Sequence, residues 1–318
     1  MPRMRNPRFT ITRQSHFILV LALLLLPLAL TACQKASRSP SKDTDPSARE
    51  LVDLRSHVLN YTEELSPDGP YSAPDEEERA QLAEGVGRLL EGDAREAERL
   101  LAPIGLGVTR LTDTATGRRY DEIAATGEES ASWGRLYVTA DSRLRWNAQV
   151  PHPVADRDTE ALGVRLLEDV PGGALVLAGA HRRAGPGDAA DVAHREDSAF
   201  HTVVVELQQR GVPGVQLHGF AESTADHDAV VSTGAAESAP EEVSALADRM
   251  EADGLRVCRG WSARCPLEGK RNVQGRSAQR EHATFVHLEL APSARGDGRD
   301  AEEAADAVSG LLSRWAQD

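Results

Sequence analysis

The spacing of apolar residues divides the chain after residue 50 into three stretches of different character. The first, 51–105, predicts two short helices, one over 75–91 and one from Asp93 to about residue 101. Asp93 with Glu96 three residues on has the spacing of a capping box. The second stretch, 106–149, consists of short β-rich pieces separated by turn residues. We therefore expect 51–149 to be a small helical and strand-rich N-terminal region, to which the sequence assigns no role.

From residue 150 to 318, predicted strands and helices alternate as in an α/β domain. The predicted helices start at Thr159, Ser198, Ser238 and Asp300. Strands joined through helices predict a parallel or mixed sheet with helices on both faces, and functional groups at the carboxyl ends of the strands. The predicted strands cover 174–179, 214–217, 229–232, 255–258 and 284–290.

The first 32 residues are typical of a targeting segment rather than of a fold. Four arginines precede an apolar run over 17–30, which is short for a membrane span of ~20 residues but suits a signal peptide. Residues 30–33, LTAC, resemble a bacterial lipobox, which implies cleavage before Cys33 and lipidation of its thiol. The alternative is an uncleaved anchor. Residues 33–50 predict a lipidated cysteine and a flexible tether, so we expect an extracytoplasmic lipoprotein held at the bacterial cell membrane.

Charge and composition exclude some classes of partner. The net charge is −14, and loss of residues 1–32, which hold four arginines and no acidic residue, takes it to −18. A general nucleic-acid binder needs a basic face, so we expect no nucleic-acid partner. Aromatic residues make up only 4 % of the chain, which argues against a base-stacking platform.

Two cysteines remain after Cys33, and an extracytoplasmic compartment permits them to form a disulfide. Cys258 and Cys265 would close a loop of eight residues. Two free thiols are the alternative. A metal role is disfavoured because no histidine or cysteine partner stands at zinc-finger spacing.

Polar side chains lie at the predicted strand ends. His152 and Asp156 follow one strand, His218 ends another, and Glu289 shares a strand face with His287. Two imidazoles and one carboxylate make a three-ligand zinc site with an open position for water, and a further carboxylate can act as general base. The alternative for each histidine is a hydrogen-bonded structural role.

Three segments also resemble a known family. HPVADRDTEALG at 152–163 resembles the His-x-x-x-acid-x-x-Thr signature of phage-type poly-γ-glutamate hydrolases and the related N-formylglutamate amidohydrolases. QLHGF at 216–220 is similar to their second metal histidine, and FVHLELAPSAR at 285–295 to the strand that presents the catalytic glutamate of zinc carboxypeptidases. The three segments occur in the family's order within residues ~150–316.

The resemblance implies a carboxypeptidase-like mixed sheet, one zinc ion and cleavage of amide bonds near carboxylates. Transferred residue by residue, it makes His152, Asp156 and His218 the metal ligands and Glu289 the catalytic base.

The carboxylate ligand departs from the family pattern. The poly-γ-glutamate enzymes more typically have a glutamate where this chain has Asp156. Asp158 and Glu160 lie close by and compete for the role. The departure leaves open which carboxylate binds the metal, more than whether a metal site exists.

Basic residues in 180–201 are candidates for substrate binding. Arg182 and Arg183 follow a predicted strand, where a guanidinium can bind a substrate carboxylate with two hydrogen bonds. Asp191 and His194 are candidates for a second metal site or for a pair that supports the first. A solvated loop is the alternative.

The stretch 267–277 also has a polar pattern. We interpret it as a loop in which Asn272 and Arg276 bind a carboxylate of the substrate. A polar turn held by a disulfide between Cys258 and Cys265 is the alternative.

Together these features predict a lipid-anchored, extracytoplasmic, zinc-dependent hydrolase of amide bonds. Its predicted substrates are acidic or cell-wall peptides, either peptidoglycan stem peptides or γ-glutamyl polymers. The second hypothesis is a non-catalytic lipoprotein that binds a metal or an anion on the same fold.

Overall fold

The computed structural model describes residues 49–128 and 130–317. The predicted signal peptide, Cys33 and nearly all of the predicted tether lie outside these described residues. All of the described residues belong to one compact unit.

Helices and strands alternate along most of this unit. Among the described residues, none of the helices is both long and apolar enough to cross a membrane. The strands are β1 (Glu50–Val52), β2 (Leu106–Asp113), β3 (Arg119–Ala125), β4 (Arg135–Thr139), β5 (Trp146–Val150), β6 (Gly173–Leu177), β7 (Gly214–Gly219), β8 (Ala229–Ser232), β9 (Val257–Arg259) and β10 (Phe285–Leu290). The helices are α1 (Leu54–Glu63), α2 (Glu76–Leu90), α3 (Ala94–Leu101), α4 (Thr159–Asp169), α5 (Ala199–Gln209), α6 (Glu241–Ala252), α7 (Val273–Glu281) and α8 (Arg299–Gln317).

These strands form one mixed sheet in the order β1-β2-β3-β4-β6-β5-β7-β10-β8-β9. The central strands β6, β5, β7 and β10 are parallel to one another, whereas β3, β4 and β8 pair antiparallel with their neighbours toward the centre. The predicted mixed sheet is confirmed. Because the four central strands run the same way, their carboxyl ends meet at one edge of the sheet.

Helices cover both faces of the sheet, as predicted. Alternate residues of β6 show the two faces. Leu175 belongs to the buried cluster that contains residues of α1, α4, α6 and α8, and Val176 to the cluster that contains residues of α2, α3 and α5. Both side chains are buried almost completely. The strands of 106–149 belong to this same sheet, since β4 pairs with β6 and β5 lies between β6 and β7.

Short polar residues begin several helices where the sequence predicts it. Asp75 accepts a hydrogen bond from the amide of Glu78 at 2.9 Å, and the Glu78 carboxylate accepts one from the amide of Asp75 at 2.7 Å. Ser198 accepts from the amide of His201 at 3.1 Å and begins α5. Each such cap contributes about 1 kcal/mol.

Two predicted helix starts are wrong. Helix α6 begins after Pro240 rather than after Ser238, because a proline disfavours helical geometry in the residue before it. Helix α8 begins one residue before Asp300, because the carbonyl of Gly298 accepts the first helical hydrogen bond from Glu302, at 3.0 Å. Asp300 thus lies inside the first turn of α8.

Candidate metal centre

The carboxyl edge of the central strands carries the predicted cluster. His152 follows β5 by two residues, His218 lies near the end of β7, and Glu289 lies near the end of β10. All three line a cavity of about 470 Å³, and each is less than 10 % exposed. The structure therefore brings together the residues that the sequence groups.

A tight turn places Asp156 next to both histidines. The amide of Asp156 donates to the carbonyl of His152 at 2.9 Å, which returns the chain over that residue. One oxygen of Asp156, Oδ2, then lies 3.1 Å from Nδ1 of His152 and 3.1 Å from Nδ1 of His218. Two imidazole nitrogens and a carboxylate oxygen thus converge on one point.

The other ring nitrogens have acceptors of their own. Nε2 of His152 lies 2.7 Å from a carboxylate oxygen of Asp191, and Nε2 of His218 lies 2.8 Å from Oε1 of Gln216. Each ring can therefore donate through Nε2 and offer Nδ1 to a cation beside Asp156. This donor set fits a metal ion and is the zinc-type combination that the sequence predicts.

The electrostatics of the ligands agree with a cation position. Burial acts to raise the pKa of Asp156, but its close contacts with the His152 and His218 imidazoles outweigh burial and hold the pKa well below its usual value. Burial lowers the pKa of His218. For His152, burial also acts downward, yet its contacts with Asp156 and Asp191 raise the pKa. Asp156 is therefore the charged centre of the cluster.

Glu289 has the properties of a proton acceptor beside the ligands. It is 8 % exposed, and burial together with the negative charge of Asp156 raises its pKa to about 8. Such a shift is common in groups that transfer protons near neutral pH.

His287 is a site residue that the sequence analysis left without a role. Its ring lies 4.6 Å from that of His218, centroid to centroid, and its buried Nδ1 has no hydrogen-bond partner among the described residues. His218, His287 and Glu289 form a second group of ligand atoms within 4.8 Å of one another, sharing His218 with the first group. The signal was present in the sequence, because strand alternation places His287 on the face of Glu289.

Asp191 supports His152 rather than forming a second metal site. Besides His152, Asp191 contacts Arg182, whose Nη2 donates to Oδ2 at 2.8 Å, and His194, whose Nδ1 lies 3.2 Å from the same oxygen. Among the described residues, no candidate group of metal ligands includes Asp191 or His194. Arg182 lines the cavity, whereas Arg183 is exposed and lies outside its lining.

The stretch 267–277 is only partly the loop that we expected. Asn272 begins α7, with Oδ1 accepting from the amide of Gly275 at 3.0 Å, and its Nδ2 donates to Oε1 of Gln216. Asn272 lines the cavity but is committed to these two contacts. Arg276 is exposed, donates to the carbonyl of Lys270 at 3.3 Å and lies outside the cavity lining.

The two carboxylates that compete with Asp156 in the sequence do not lie at the cluster. Asp158 and Glu160 line a different and larger cavity, of about 710 Å³, which contains none of the four clustered residues. Within the described residues, Asp156 is the carboxylate that meets the two imidazoles.

A segment that begins at the end of a disulfide-closed loop forms one wall of the cavity at the cluster. Cys258 and Cys265 are bonded to each other, as predicted. The chain from Arg264 to Asn272 lines the cavity and brings Arg264 and Arg271 to its rim. Lys270, on the same segment, pairs with Glu268. The rim is thus basic although the chain is strongly acidic.

Comparisons with known proteins find similar folds at low identity. No protein-family profile matches the sequence. No curated protein matches it either. The chain is 13 % identical to a structure described as zinc-free apo YndL, over 60 % of this chain and 93 % of that chain, with a TM-score of 0.38.

Two further solved structures are similar to the same extent. One is a metallo-carboxypeptidase from Pseudomonas aeruginosa in complex with (2-guanidinoethylmercapto)succinic acid, 15 % identical over 79 % of this chain and 70 % of that chain, with a TM-score of 0.38. The other is a succinylglutamate desuccinylase from a Silicibacter species, 13 % identical over 57 % of this chain and 60 % of that chain, with a TM-score of 0.37. The assignment of chemistry therefore rests on the geometry of the site.

Proposed function

We propose that the protein is a zinc-dependent hydrolase of amide bonds in acidic or cell-wall peptides, resembling poly-γ-glutamate hydrolases. The observation that carries the proposal is the convergence of two imidazole nitrogens and the Asp156 carboxylate beside Glu289, in an open cavity.

His152, Asp156 and His218 would hold one zinc ion. When bound, such an ion polarises a carbonyl group and lowers the pKa of a water molecule. Asp191 orients His152 through its Nε2, and Gln216 does the same for His218. The two imidazoles are thus oriented by polar partners, His218 by a residue of its own strand and His152 by a residue of a different segment.

Glu289 would transfer the proton in this reaction. Its carboxylate accepts a proton from the attacking water and then donates it to the departing amine. Burial and a neighbouring negative charge raise its pKa to about 8 in the metal-free site. A positive charge beside it would bring that pKa down, which makes the carboxylate available as a base near neutral pH.

Basic side chains support an acidic substrate. Arg182, Arg264 and Arg271 line the cavity, and Arg182 also donates to Asp191. A carboxylate on the substrate can bind such guanidinium groups with two hydrogen bonds each. In a chain of net charge −14, these local cations offset the repulsion of an acidic substrate.

The lipobox-like segment supports attachment through Cys33 outside the cytoplasmic membrane. Such an anchor would place the hydrolase beside the cell wall, where peptides with γ-glutamyl bonds are accessible. Metabolic labelling with an alkyne fatty acid tests the attachment: label is expected on the wild-type chain and not on the Cys33→Ala variant.

The catalytic proposal is tested with metal analysis and cleavage by the full chain. We expect about one zinc ion per molecule and release of new amines from poly-γ-glutamate or from stem peptides. Glu289→Gln is expected to keep zinc and lose cleavage.

Glu160→Gln is the matched control. Like Glu289, Glu160 is 8 % exposed and has a pKa raised by burial, but it lies outside the ligand groups. Its variant is expected to cleave normally. Wild-type protein that binds no zinc, or full activity of Glu289→Gln, contradicts the proposal; zinc without cleavage of any such peptide favours a non-catalytic metal-binding lipoprotein.

A further inference from the structure

Three paths of buried hydrogen bonds end on the side-chain amide of Gln216. We propose that Gln216 is a positioning residue that holds His218 in the tautomer able to bind a metal ion. The inference rests on the metal site of the proposed function, and it concerns what keeps that site ready for the ion.

The first path starts at a backbone carbonyl. Nδ2 of Asn147 donates to the carbonyl of Pro213 at 2.9 Å, and a carbonyl can only accept. Oδ1 of Asn147 must therefore be the atom that accepts from Nε2 of Gln149, at 2.7 Å. Oε1 of Gln149 then accepts from Nε2 of Gln216 at 3.0 Å. This path directs the NH₂ group of Gln216 toward Gln149.

The second path starts at a backbone amide and reaches the opposite side of Gln216. The amide of Gly275 can only donate, and it donates to Oδ1 of Asn272 at 3.0 Å at the start of α7. Nδ2 of Asn272 is thereby the atom left to donate to Oε1 of Gln216. This path directs the oxygen of Gln216 toward Asn272.

The third path agrees with the other two. Nε2 of Gln274 donates to the carbonyl of Val192 at 2.9 Å, so Oε1 of Gln274 faces Gln216 and accepts from its Nε2 at 3.3 Å. Each path starts at a backbone group that can only donate or only accept. All three paths require the same orientation of the Gln216 side-chain amide.

With this orientation, Oε1 of Gln216 is the atom that meets His218. It lies 2.8 Å from Nε2 of that ring, so His218 donates through Nε2 and keeps a lone pair on Nδ1. Rotating the Gln216 amide by 180° would set donor against donor or acceptor against acceptor at three buried contacts, those with Gln149, Asn272 and Gln274. Asn147, Gln149, Gln216 and Gln274 have no exposed surface, so water cannot relieve the conflict.

The tautomer decides whether the site accepts a cation. A proton on Nδ1 of His218 would occupy the position that faces Asp156 and block coordination there. The backbone groups of Pro213, Gly275 and Val192 thus set the orientation of the side-chain amides, and these amides set the tautomer of His218. Interactions that orient a ligand in this way typically change metal affinity by about 10- to 100-fold.

The test compares zinc affinity in variants of the full chain, measured by competition with a fluorescent zinc chelator. Gln216→Met keeps the length of the side chain and removes the acceptor, and we expect zinc affinity to fall by about 10- to 100-fold. Gln216→Glu supplies a carbonyl oxygen for His218, and as a carboxylic acid its OH can donate to Gln149. We expect it to bind zinc within about threefold of wild type.

Gln208→Met is the matched control, because Gln208 is a buried amide on none of the three paths, and its Nε2 donates to the carbonyl of Gln274 at 3.0 Å. We expect zinc affinity within about threefold of wild type. Equal weakening by Gln208→Met and Gln216→Met would show a general loss of buried hydrogen bonds, and unchanged affinity in Gln216→Met would equally overturn the proposal.

A second measurement needs neither metal binding nor a folded Gln216→Met variant. Long-range ¹H–¹⁵N spectra of the metal-free wild-type chain report the tautomer of each ring, with His218 assigned from the signal lost in His218→Gln. A proton on Nε2 supports the proposal, and a proton on Nδ1 overturns it. Absence of zinc binding by the wild type would contradict the proposed function alone, since the tautomer is still measured.

Discussion

Glu289 stands directly opposite His218 in the parallel pairing of β10 with β7. Adjacent parallel strands carry paired residues on the same face, so the carboxyl group and the imidazole share one side of the sheet. The proposed base is therefore held beside a proposed ligand by backbone pairing rather than by a flexible loop. Any cation bound at the ligands must act on the protonation of Glu289.

This coupling predicts proton release on zinc binding. With a pKa raised to about 8 by burial and by Asp156, Glu289 of the metal-free protein is mostly protonated at pH 7. A nearby cation lowers that pKa, so zinc binding should expel up to about 0.9 proton from Glu289. Calorimetric zinc titrations in buffers of different ionisation enthalpy count the protons released. Wild type should release more than Glu289→Gln, and equal counts would contradict the coupling.

Much of the sheet and several helix starts could be predicted, because their sequence signals are local. The apolar run of β6, the alternation in β10 and the caps at Asp93 and Ser198 each act over a few residues. The metal cluster could be predicted for a related reason. Parallel strands end at one edge, so polar residues at strand ends meet there whatever the connections between them.

The supporting contacts could not be predicted, because they depend on which distant segments pack together. Gln216 stands in an apolar strand sequence, and only the structure shows that Asn272 and Gln149 meet it from other elements. The position of Arg276 outside the cavity lining could not be predicted for the same reason. Residues from 273 onward form α7, whose orientation leaves Arg276 exposed.

Neighbouring arginines provide a test of substrate binding. Arg182 lines the cavity and contacts Asp191, whereas Arg183 is exposed outside it. Loss of a charged hydrogen bond costs about 1.5–3 kcal/mol, so Arg182→Ala should raise KM for poly-γ-glutamate by roughly 10- to 100-fold. Zinc content should stay unchanged because the three ligands remain. Arg183→Ala should leave KM near the wild-type value; equal effects of the two variants would remove Arg182 from the binding surface.

Because Gly269 packs against His287, we expect an alanine to destabilise the fold more at position 269 than at position 211. Gly269 and Gly211 have nearly the same backbone, with φ of 68° and 69°. A Cβ at 269 would lie 2.5 Å from Cδ2 of His287, while one at 211 would meet nothing within 4 Å. Gly211→Ala should cost about 1–2 kcal/mol through its positive φ alone. Gly269→Ala should cost about 1–3 kcal/mol more, because the loop must move off His287.

Urea unfolding at constant pH measures both variants. Equal free energies of unfolding for the two variants would show that the segment at Gly269 can move away from His287 at no cost and does not hold it in place.

The folded protein should lose stability in acid in part because of His201, whose ring lies beside Gln274, one of the buried amides around Gln216. Its side chain is 7 % exposed, and burial lowers its pKa from 6.5 to about 4. Its Nδ1 lies 3.3 Å from Nε2 of Gln274, a donor that favours the neutral ring. Between these two pKa values the unfolded chain binds a proton that the folded chain does not, so the stability contributed by neutral His201 is lost as pH falls through this range.

The loss is measurable by comparing free energies of unfolding at pH 7 and pH 5. Over this interval the wild type should lose about 2 kcal/mol more than His201→Phe, which has no proton to bind. His282→Asn is the control, because His282 is an exposed histidine at the end of α7 and asparagine tolerates its positive φ. That variant should follow the wild-type pH dependence. If His201→Phe also follows it, the buried imidazole takes up a proton without opening the fold, and the rigidity of the network around Gln274 is contradicted.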